Sequence, residues 1–193
     1  MKKFRAHISG VPGVALLTHN ERLADPRDPI ARQMKSISSK RTKTDEDFAE
    51  LAKLEFEGGL YLTDDGKVGI PAWNVFRSWQ EGAKVNKLGR AVERGVFMSG
   101  ADILPIEYNG PSSPVDMWNA GHVDSRSVKV GMSKVTRTRP SFRNWSLVAD
   151  FTVDLDVLRE DDLGMIVRNA GLMSGLGDYR PRFGRYEVEL EAL

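Results

Sequence analysis

Alternating hydrophobic and polar residues predict β-strands near both ends of the chain and in its second half. Residues 2–9 alternate apolar with basic or polar side chains, which is the period of a strand with one buried face. The same alternation extends over residues 145–153 and 184–190. A fourth strand is predicted over residues 103–108, where a short apolar run precedes a loop rich in glycine, proline and serine. These four segments indicate a sheet that buries one of its faces.

A repeat of apolar residues every three to four positions predicts two helices that pack on this sheet. Residues 71–85 begin with a proline, which suits the first turn of a helix because its missing N–H needs no partner there. Val75, Trp79 and Ala83 are spaced four residues apart within this segment. Residues 160–173 have the same period. The residues predicted to face inward from this second helix are Leu163, Ile166, Val167 and Ala170.

Two further helices are predicted from their capping residues, between the first strand and the helix over 71–85. Asp28 precedes a proline and is expected to cap a helix that runs to about Ser38. Thr44 precedes three acidic residues, which suit the positive end of a second helix. This second helix is expected to end near Gly58 and to direct Phe48 inward with its other apolar residues.

The strongest predicted elements follow the order strand, helix, strand, strand, helix, strand. This βαββαβ order is that of the ferredoxin-like, or RRM-like, fold, an α+β class with an antiparallel sheet. Residues 26–66 and 109–143 then form two large insertions in a single domain that spans residues 1–193. Both helices cover one face of the sheet, and the other face is left for a partner or for a basic arm.

Composition narrows the class of protein. The chain has 193 residues, 40% of them hydrophobic, and no cysteine, which excludes disulfides and thiolate metal sites. No apolar run approaches the roughly 18 residues that a membrane-spanning helix needs. The first residues alternate like a strand and lack the apolar block of a signal peptide. We therefore expect a cytoplasmic protein that does not contact a membrane.

The net charge of +1 hides a strong segregation of charge along the chain. Residues 1–44 and 126–145 are basic, whereas residues 45–65 and 146–162 are acidic. A nucleic-acid-binding protein needs a local cluster of positive charge and does not need a positive net charge. This distribution is therefore compatible with nucleic-acid binding. The alternative is that neighbouring acidic and basic segments neutralise each other at the surface.

The basic segment near residue 130 is predicted to be an extended arm. Residues 126–145 contain six Lys or Arg residues, no acidic residue and several β-branched residues. Alternate side chains of an extended strand lie about 7 Å apart on one side. Arg137 and Arg139 would then match the spacing of phosphates along a single nucleic-acid strand. The basic residues of this arm are Arg126, Lys129, Lys134, Arg137, Arg139 and Arg143.

A loop rich in glycine and arginine precedes the last predicted strand. Residues 171–186 contain four glycines, three arginines and three aromatic residues. Glycines allow a close approach of backbone to a ligand, arginines grip phosphate, and aromatic rings stack on bases. Because a strand and not a helix follows, the loop does not fit a dinucleotide-binding turn. The alternative is a tight turn whose arginines are only solvated.

The aromatic residues near this loop and the arm are candidates for base stacking. Tyr179 lies within the loop and is the best candidate for an exposed ring. Phe142, Trp145 and Phe183 are further candidates, although Trp145 and Phe183 also suit a hydrophobic core. Tyr179 is therefore the residue expected to stack on a base.

Catalytic chemistry has little support in the sequence. The three histidines are scattered and none has a partner at the spacing of a metal site. No nucleophile motif or phosphate-binding lysine motif is present. We therefore expect no enzymatic activity, no metal and no cofactor. The three histidines are His7, His19 and His122.

Two segments resemble motifs of one known family. Residues 68–77, with the sequence VGIPAWNVFR, are similar to the IPGSSLKGALR segment of the Cas7-like (RAMP) superfamily of CRISPR effector subunits. Residues 175–185, with the sequence GLGDYRPRFGR, are similar to the glycine-rich loop that precedes the last strand in that superfamily. Trp73 and Asn74 depart from the family pattern, which has small residues there. The whole chain also resembles a group of bacteriophage proteins of similar length.

The resemblance implies a binder of single-stranded nucleic acid that tolerates many sequences, does not cleave, and lines up along the strand as repeated copies. DNA is the first expected ligand, in phage replication or recombination in the host cytoplasm, and RNA is the second. The alternative is a self-assembling or partner-binding phage protein, either a virion component or an inhibitor of a CRISPR complex. The residues expected to contact nucleic acid are Lys134, Arg137, Arg139, Arg143, Tyr179, Arg180, Arg182 and Arg185, with Gly175, Gly177 and Gly184 as points of close backbone approach.

Overall fold

The computed structural model describes residues 1–193, except for the side chain of Val130. This described chain is a mixed α and β structure with antiparallel sheets and six α-helices. In the same part of the chain, no helix combines the length and the apolar character that crossing a membrane requires. The chain divides into two compact units. The first unit comprises Met1–Leu16, Leu62–Asn109 and Phe142–Leu193, and the second comprises Leu17–Tyr61 and Gly110–Ser141.

The second unit consists of two segments that overlap the predicted insertions 26–66 and 109–143. The single domain expected from the sequence stays a prediction. In chain order the strands are β1 (Lys2–Gly10), β2 (Leu16–Leu17), β3 (Tyr61–Leu62), β4 (Val68–Pro71), β5 (Val96–Ser99), β6 (Ile103–Pro105), β7 (Val123–Val130), β8 (Ser133–Phe142), β9 (Ser146–Val153) and β10 (Tyr186–Ala192). The helices are α1 (Pro29–Ser38), α2 (Asp45–Gly59), α3 (Ala72–Lys84), α4 (Gly89–Gly95), α5 (Pro114–Asn119) and α6 (Glu160–Asn169), with a 3₁₀ turn at Glu21–Ala24 and a π-helical turn at Ala170–Ser174.

The first unit contains a four-stranded antiparallel sheet with the strand order β10-β1-β9-β5. The predicted strands over 2–9, 145–153 and 184–190 are confirmed as β1, β9 and β10. Residues 103–108 are confirmed as a strand only over Ile103–Pro105, which is β6 and pairs with β4, and Glu107 forms a single bridge to Ser146 of β9. The fourth strand of this sheet is β5, so the prediction that 103–108 supplies it is wrong. Both segments are apolar, but only Val96 of β5 lies opposite Val153 and extends the buried face of this sheet.

Helices α3 and α6 cover the buried face of this sheet, as the apolar spacing predicts. The ring of Trp79 packs edge-on against that of Phe151, with 4.7 Å between their centroids. Gly82 lets the two helical segments approach closely, since a Cβ at this position would lie 2.5 Å from the Ala170 nitrogen. The residues predicted to face inward from α3, from α6 and from the π-helical turn after it are all buried: Val75, Trp79, Ala83, Leu163, Ile166, Val167 and Ala170.

Tyr186, at the start of β10, anchors the last strand to α3. Its ring is buried, and its hydroxyl is 2.8 Å from the Ser78 hydroxyl, so that the two share a hydrogen bond. Burial raises the pKa of the Tyr186 hydroxyl far above its ordinary value. The hydroxyl is therefore neutral at physiological pH and holds the start of the strand against the helix.

The opposite face of this sheet is exposed and charged, with basic residues on β1 and acidic residues on β9 and β10. Arg5 donates to Asp150 over 2.7 Å, and this guanidinium lowers the pKa of the Asp150 carboxyl from its ordinary value. Exposed glutamates follow one side of β10, at positions 187, 189 and 191. RRM-type proteins stack bases on aromatic residues of this face, but these carboxylates would repel phosphate. The acidic edge of this face is therefore poorly suited to bind nucleic acid.

The second unit contains α1, α2, α5 and the hairpin of β7 and β8. The predicted helix caps are confirmed: the Asp28 side chain accepts hydrogen bonds at the start of α1, and Thr44 forms a capping box with Asp47 on α2. The ring of Phe56 on α2 packs edge-on against Trp118 of α5, with centroids 5.3 Å apart.

Phe48 differs from its prediction. Its helical spacing predicts an inward orientation, but 58% of its surface is exposed. Apolar burial on α2 is concentrated in its C-terminal half, at Leu54 and Phe56. Phe48 lies in the first turns, beyond that packed layer, so its apolar ring is available at the surface.

Candidate nucleic-acid interface

The loop between α6 and β10, residues 175–185, has a backbone held by hydrogen bonds. The Leu176 N–H donates to the Gly184 carbonyl, and the Gly184 N–H donates to the Ala15 carbonyl, each over 2.8 Å. Gly175, Gly177 and Gly184 have φ angles of 71°, 72° and 69°, which favour glycine over residues with a Cβ. The loop therefore has a defined conformation and is not a loose connection.

Two of the loop glycines are explained by contacts within the protein. A Cβ on Gly184 would lie 1.8 Å from the Leu176 carbonyl oxygen, and one on Gly175 would lie 2.9 Å from the Phe183 carbonyl oxygen. Their close backbone approach is thus to the loop itself. Gly177 is half-buried and lines a cavity, so it is the glycine best placed to approach a ligand.

The loop presents its arginines to solvent. Arg180, Arg182 and Arg185 are exposed, and none forms an ion pair among the residues that the structure describes. Tyr179 is 38% exposed, with its ring centroid 6.0 Å from that of Phe183. The sequence prediction grouped these four residues, and they occupy one fixed loop.

A polar cavity of about 550 Å³ lies beside this loop. Its volume is within the range of small-ligand pockets. Two carboxylates line it together with Arg180 and Tyr179, and one of them, Glu81, pairs with Lys84 over 2.6 Å. The lining residues are Glu81, Gly82, Met173, Ser174, Gly177, Asp178, Tyr179 and Arg180.

Trp73 on α3 is a surface aromatic residue that the sequence prediction did not include in the site. It is 58% exposed, its ring stacks on Phe76 at 5.0 Å, and the Arg77 guanidinium lies 5.1 Å from its ring centroid. Trp73, Arg77 and Glu81 follow each other at four-residue intervals along one helix face, about 12 Å in length. Because Trp73 is two residues before Val75, the helical period already places it off the buried face.

Part of the positive charge of the arm is neutralised by acidic residues outside the predicted segment. The arm is confirmed as extended, since β7 and β8 form an antiparallel hairpin in which Arg126 lies opposite Arg137. Arg126 pairs with Asp124, and the Arg137 guanidinium lies 2.5 Å from a carboxylate oxygen of Glu55. These ion pairs relieve the repulsion between the two arginines.

The remaining basic residues of the arm differ in exposure. Lys134 and Lys129 face each other across the exposed end of the hairpin. Arg139 is only 8% exposed, so its guanidinium is poorly placed to reach a phosphate at the surface. Arg143 is exposed in the turn that follows β8, within the first unit. Lys129, Lys134 and Arg143 are thus the basic residues of the arm that are accessible to a ligand.

A groove of about 820 Å³ in the second unit joins this arm to an exposed aromatic residue. Phe48, Leu51 and Val135 form part of an apolar floor, and Lys43 and Lys134 line it as well. An aromatic ring beside ammonium groups suits a base and its phosphate. The basic turn at residues 40–43, next to an aromatic residue, is the sequence signal that indicates this groove. Its full lining is Met34, Lys35, Ser38, Lys43, Phe48, Leu51, Ala52, Glu55, Lys134, Val135, Thr136, Arg137 and Thr138.

Two of the proposed stacking residues lie in the core. Phe142 and Trp145 are buried, and the Trp145 indole N–H donates to the Val14 carbonyl over 3.3 Å. Trp145 directly precedes β9 and continues the buried alternation of that strand, which explains its position. Neither ring is available to a base, so their interpretation as stacking residues is wrong.

Glu55 is a buried acid that fixes the hairpin to α2. It accepts from the Arg137 guanidinium and, over 2.7 Å, from the Thr138 backbone N–H. Replacing Glu55 by alanine leaves a buried N–H without its acceptor, so we expect the free energy of unfolding to fall by about 2 kcal/mol. Urea denaturation measures this loss. Glu55→Gln should lose less stability. Glu50→Ala, at an exposed position of the same helix, is the control and should change stability little. Equal losses of stability in all three variants would contradict this role of Glu55.

The described residues contain no group of three or more His, Asp and Glu side chains that would suit a metal ion. No protein-family model matches the chain, and no curated protein sequence matches it. The function must therefore be inferred from the geometry of the surface residues.

Proposed function

We propose that this protein binds single-stranded nucleic acid, DNA before RNA, with little dependence on sequence and without catalysis. The observation that carries this proposal is the loop at 175–185, on which three exposed arginines stand beside a partly exposed tyrosine. A guanidinium grips phosphate through two parallel hydrogen bonds. Because the loop backbone is held by hydrogen bonds, little conformational entropy is lost when a strand binds.

Exposed aromatic residues supply the second element that a nucleic-acid interface needs. In the first unit these are Tyr179 of the loop and Trp73 beside Arg77. The second unit, taken by itself, has Phe48 in a groove with Lys43 and Lys134. Stacking of a base on an aromatic ring contributes about 1–3 kcal/mol and accepts every base. Three exposed rings near Lys or Arg side chains therefore favour a ligand with both bases and phosphates over a plain polyanion.

We also propose that the first unit is a ferredoxin-like core of the Cas7-like type. Support comes from its element order, β1-α3-β5-β9-α6-β10, together with the sheet order β10-β1-β9-β5. The glycine–arginine loop stands between the second helix and the last strand of this order, as in the resemblance described above. Proteins of this type line up along a strand, so we propose that several copies bind one strand side by side.

Fluorescence anisotropy of a labelled oligo(dT) of about 30 nucleotides tests the proposal, since site sizes of such proteins are about 4–16 nucleotides. With about four phosphate contacts, we expect affinity to fall about 50-fold between 50 mM and 200 mM salt. Oligo(dA) should bind within a few-fold of oligo(dT). An absence of binding at the lower salt concentration contradicts the proposal, and tighter binding of oligo(U) would make RNA the ligand.

A further inference from the structure

Strand β10 lies at the edge of the four-stranded sheet, with β1 on its inner side. Hydrogen bonds from Val11 to Arg185 and from Leu193 to Lys3, each 3.0 Å long, extend this ladder at both ends. In an antiparallel pair the hydrogen-bonded positions alternate. The odd-numbered residues of β10 therefore bond to β1, and the even-numbered ones direct their N–H and C=O groups away from the sheet.

The outer edge of β10 is available beyond its first residue. At Tyr186 the edge is covered, since a Cβ on Gly171 would lie 2.1 Å from the Tyr186 carbonyl oxygen. Farther along, Val188, Leu190 and Ala192 have no backbone hydrogen bond across this edge among the described residues. A strand of another protein would find unpaired donors and acceptors there.

An apolar groove lies directly beside this edge. Its volume is about 510 Å³, and it is lined by residues of α6 and the π-helical turn on one side and by β10 on the other. Leu172 is 52% exposed within it, and Val188 and Leu190 are half-buried. Alternate side chains of an added strand would enter this groove. The lining residues are Gly164, Val167, Arg168, Leu172, Tyr186, Glu187, Val188 and Leu190.

The other side of the edge is negatively charged. Glu187, Glu189 and Glu191 alternate with the groove residues along β10 and are exposed on the open face of the sheet. Glu191 lies 3.3 Å from His7, and neither Glu187 nor Glu189 forms an ion pair in the described part of the chain. An added strand would need basic residues on this side, because like charges across strands are destabilising.

We propose that β10 binds an extended segment of a partner protein, in which basic and apolar residues alternate, as a fifth strand of the sheet. Main-chain hydrogen bonds to Val188 and Leu190 would supply affinity. Specificity would come from apolar side chains that enter the groove and from basic side chains that pair with the glutamates. The glutamates also select against acidic or wholly apolar strands, which is how edge strands avoid unspecific pairing. This surface goes beyond the proposed function and does not depend on nucleic-acid binding.

A labelled Lys-Val-Lys-Val-Lys-Val-Lys peptide with blocked termini is the probe, and the same peptide with Glu in place of Lys is its control. We expect the lysine peptide to bind at least about tenfold more tightly. Changing Glu187, Glu189 and Glu191 to lysine should reverse this preference. Failure of the wild-type protein to bind the lysine peptide, or an unchanged preference in the variant, overturns the proposal.

Two further measurements keep this test decisive. Val188→Pro and Leu190→Pro remove outward N–H groups without removing a bond to β1, and each should weaken binding about tenfold or more. Hydrogen exchange on the wild-type protein should show peptide-dependent protection of the amides at 188, 190 and 192. Peptide-dependent protection at other amides would overturn the proposal. Protection of these amides without peptide, in a protein that dimerises, would also overturn it, because a second copy of the chain would then occupy the edge.

Discussion

Replacing Arg180, Arg182 and Arg185 together by alanine is expected to lower the affinity for single-stranded oligonucleotides by at least about 100-fold. Each guanidinium–phosphate contact contributes about 1–1.5 kcal/mol, because hydrogen bonds to charged groups are stronger than neutral ones. The three side chains are exposed and form no ion pair among the described residues. Stability should thus change by only about 0.5 kcal/mol per site.

Anisotropy titrations at several salt concentrations measure this effect. The dependence of log affinity on log salt should become shallower by about 0.7 for each contact removed. The matched control replaces three exposed cations outside the loop that also form no ion pair in the described chain: Lys53, Arg90 and Arg94. Equal losses in both triple variants would mean that total charge, and not the loop, determines binding.

Gly184→Ala is expected to destabilise the protein by about 4 kcal/mol or more, within the range of the most damaging single substitutions. The new Cβ would lie 1.8 Å from the Leu176 carbonyl oxygen, and both backbone hydrogen bonds of Gly184 would have to break for it to move away. The left-handed φ adds about 1–2 kcal/mol for a residue with a Cβ. Denaturant unfolding measures the loss.

Gly13→Ala separates the clash from the effect of φ. Gly13 has a φ of 79° and belongs to the same unit, but an added Cβ there meets no atom within 4 Å. Its substitution should cost only about 1–2 kcal/mol, the cost of the left-handed conformation. If both variants lose the same stability, the loop can shift to accommodate the new Cβ. That result would contradict the conclusion that the loop holds its arginines in fixed positions.

Periodicity was sufficient to predict most elements of the first unit, and capping chemistry was sufficient to predict two helices of the second. The alternation in residues 145–153 and the four-residue spacing of Val75, Trp79 and Ala83 report directly which side of each element is buried. Asp28 and Thr44 marked helix starts because their side chains satisfy N–H groups that no helix can satisfy itself. These signals are local, so one sequence contains them.

Non-local contacts account for what the sequence did not reveal. Glu55 and Arg137 are 82 residues apart, and no spacing rule joins them. Whether residues 96–99 or 103–108 form the strand next to β9 depends on which segment pairs with Val153. Phe48 has the period of a buried residue, but its exposure depends on where the packed layer of the unit ends. The partners of Gly184, likewise, are known only once the loop is folded.

The ion pairs of the hairpin change what binding to it would involve. Arg137 already holds a carboxylate of Glu55, and Arg126 already holds Asp124. A phosphate that binds either arginine must compete with a carboxylate that cannot diffuse away. Each contact there replaces one anion by another, so the number of ion pairs does not increase. Such an exchange releases few bound salt ions. The arm is then selective: it binds a simple polyanion weakly, and it binds well only a ligand that adds other contacts, such as base stacking, to its charge.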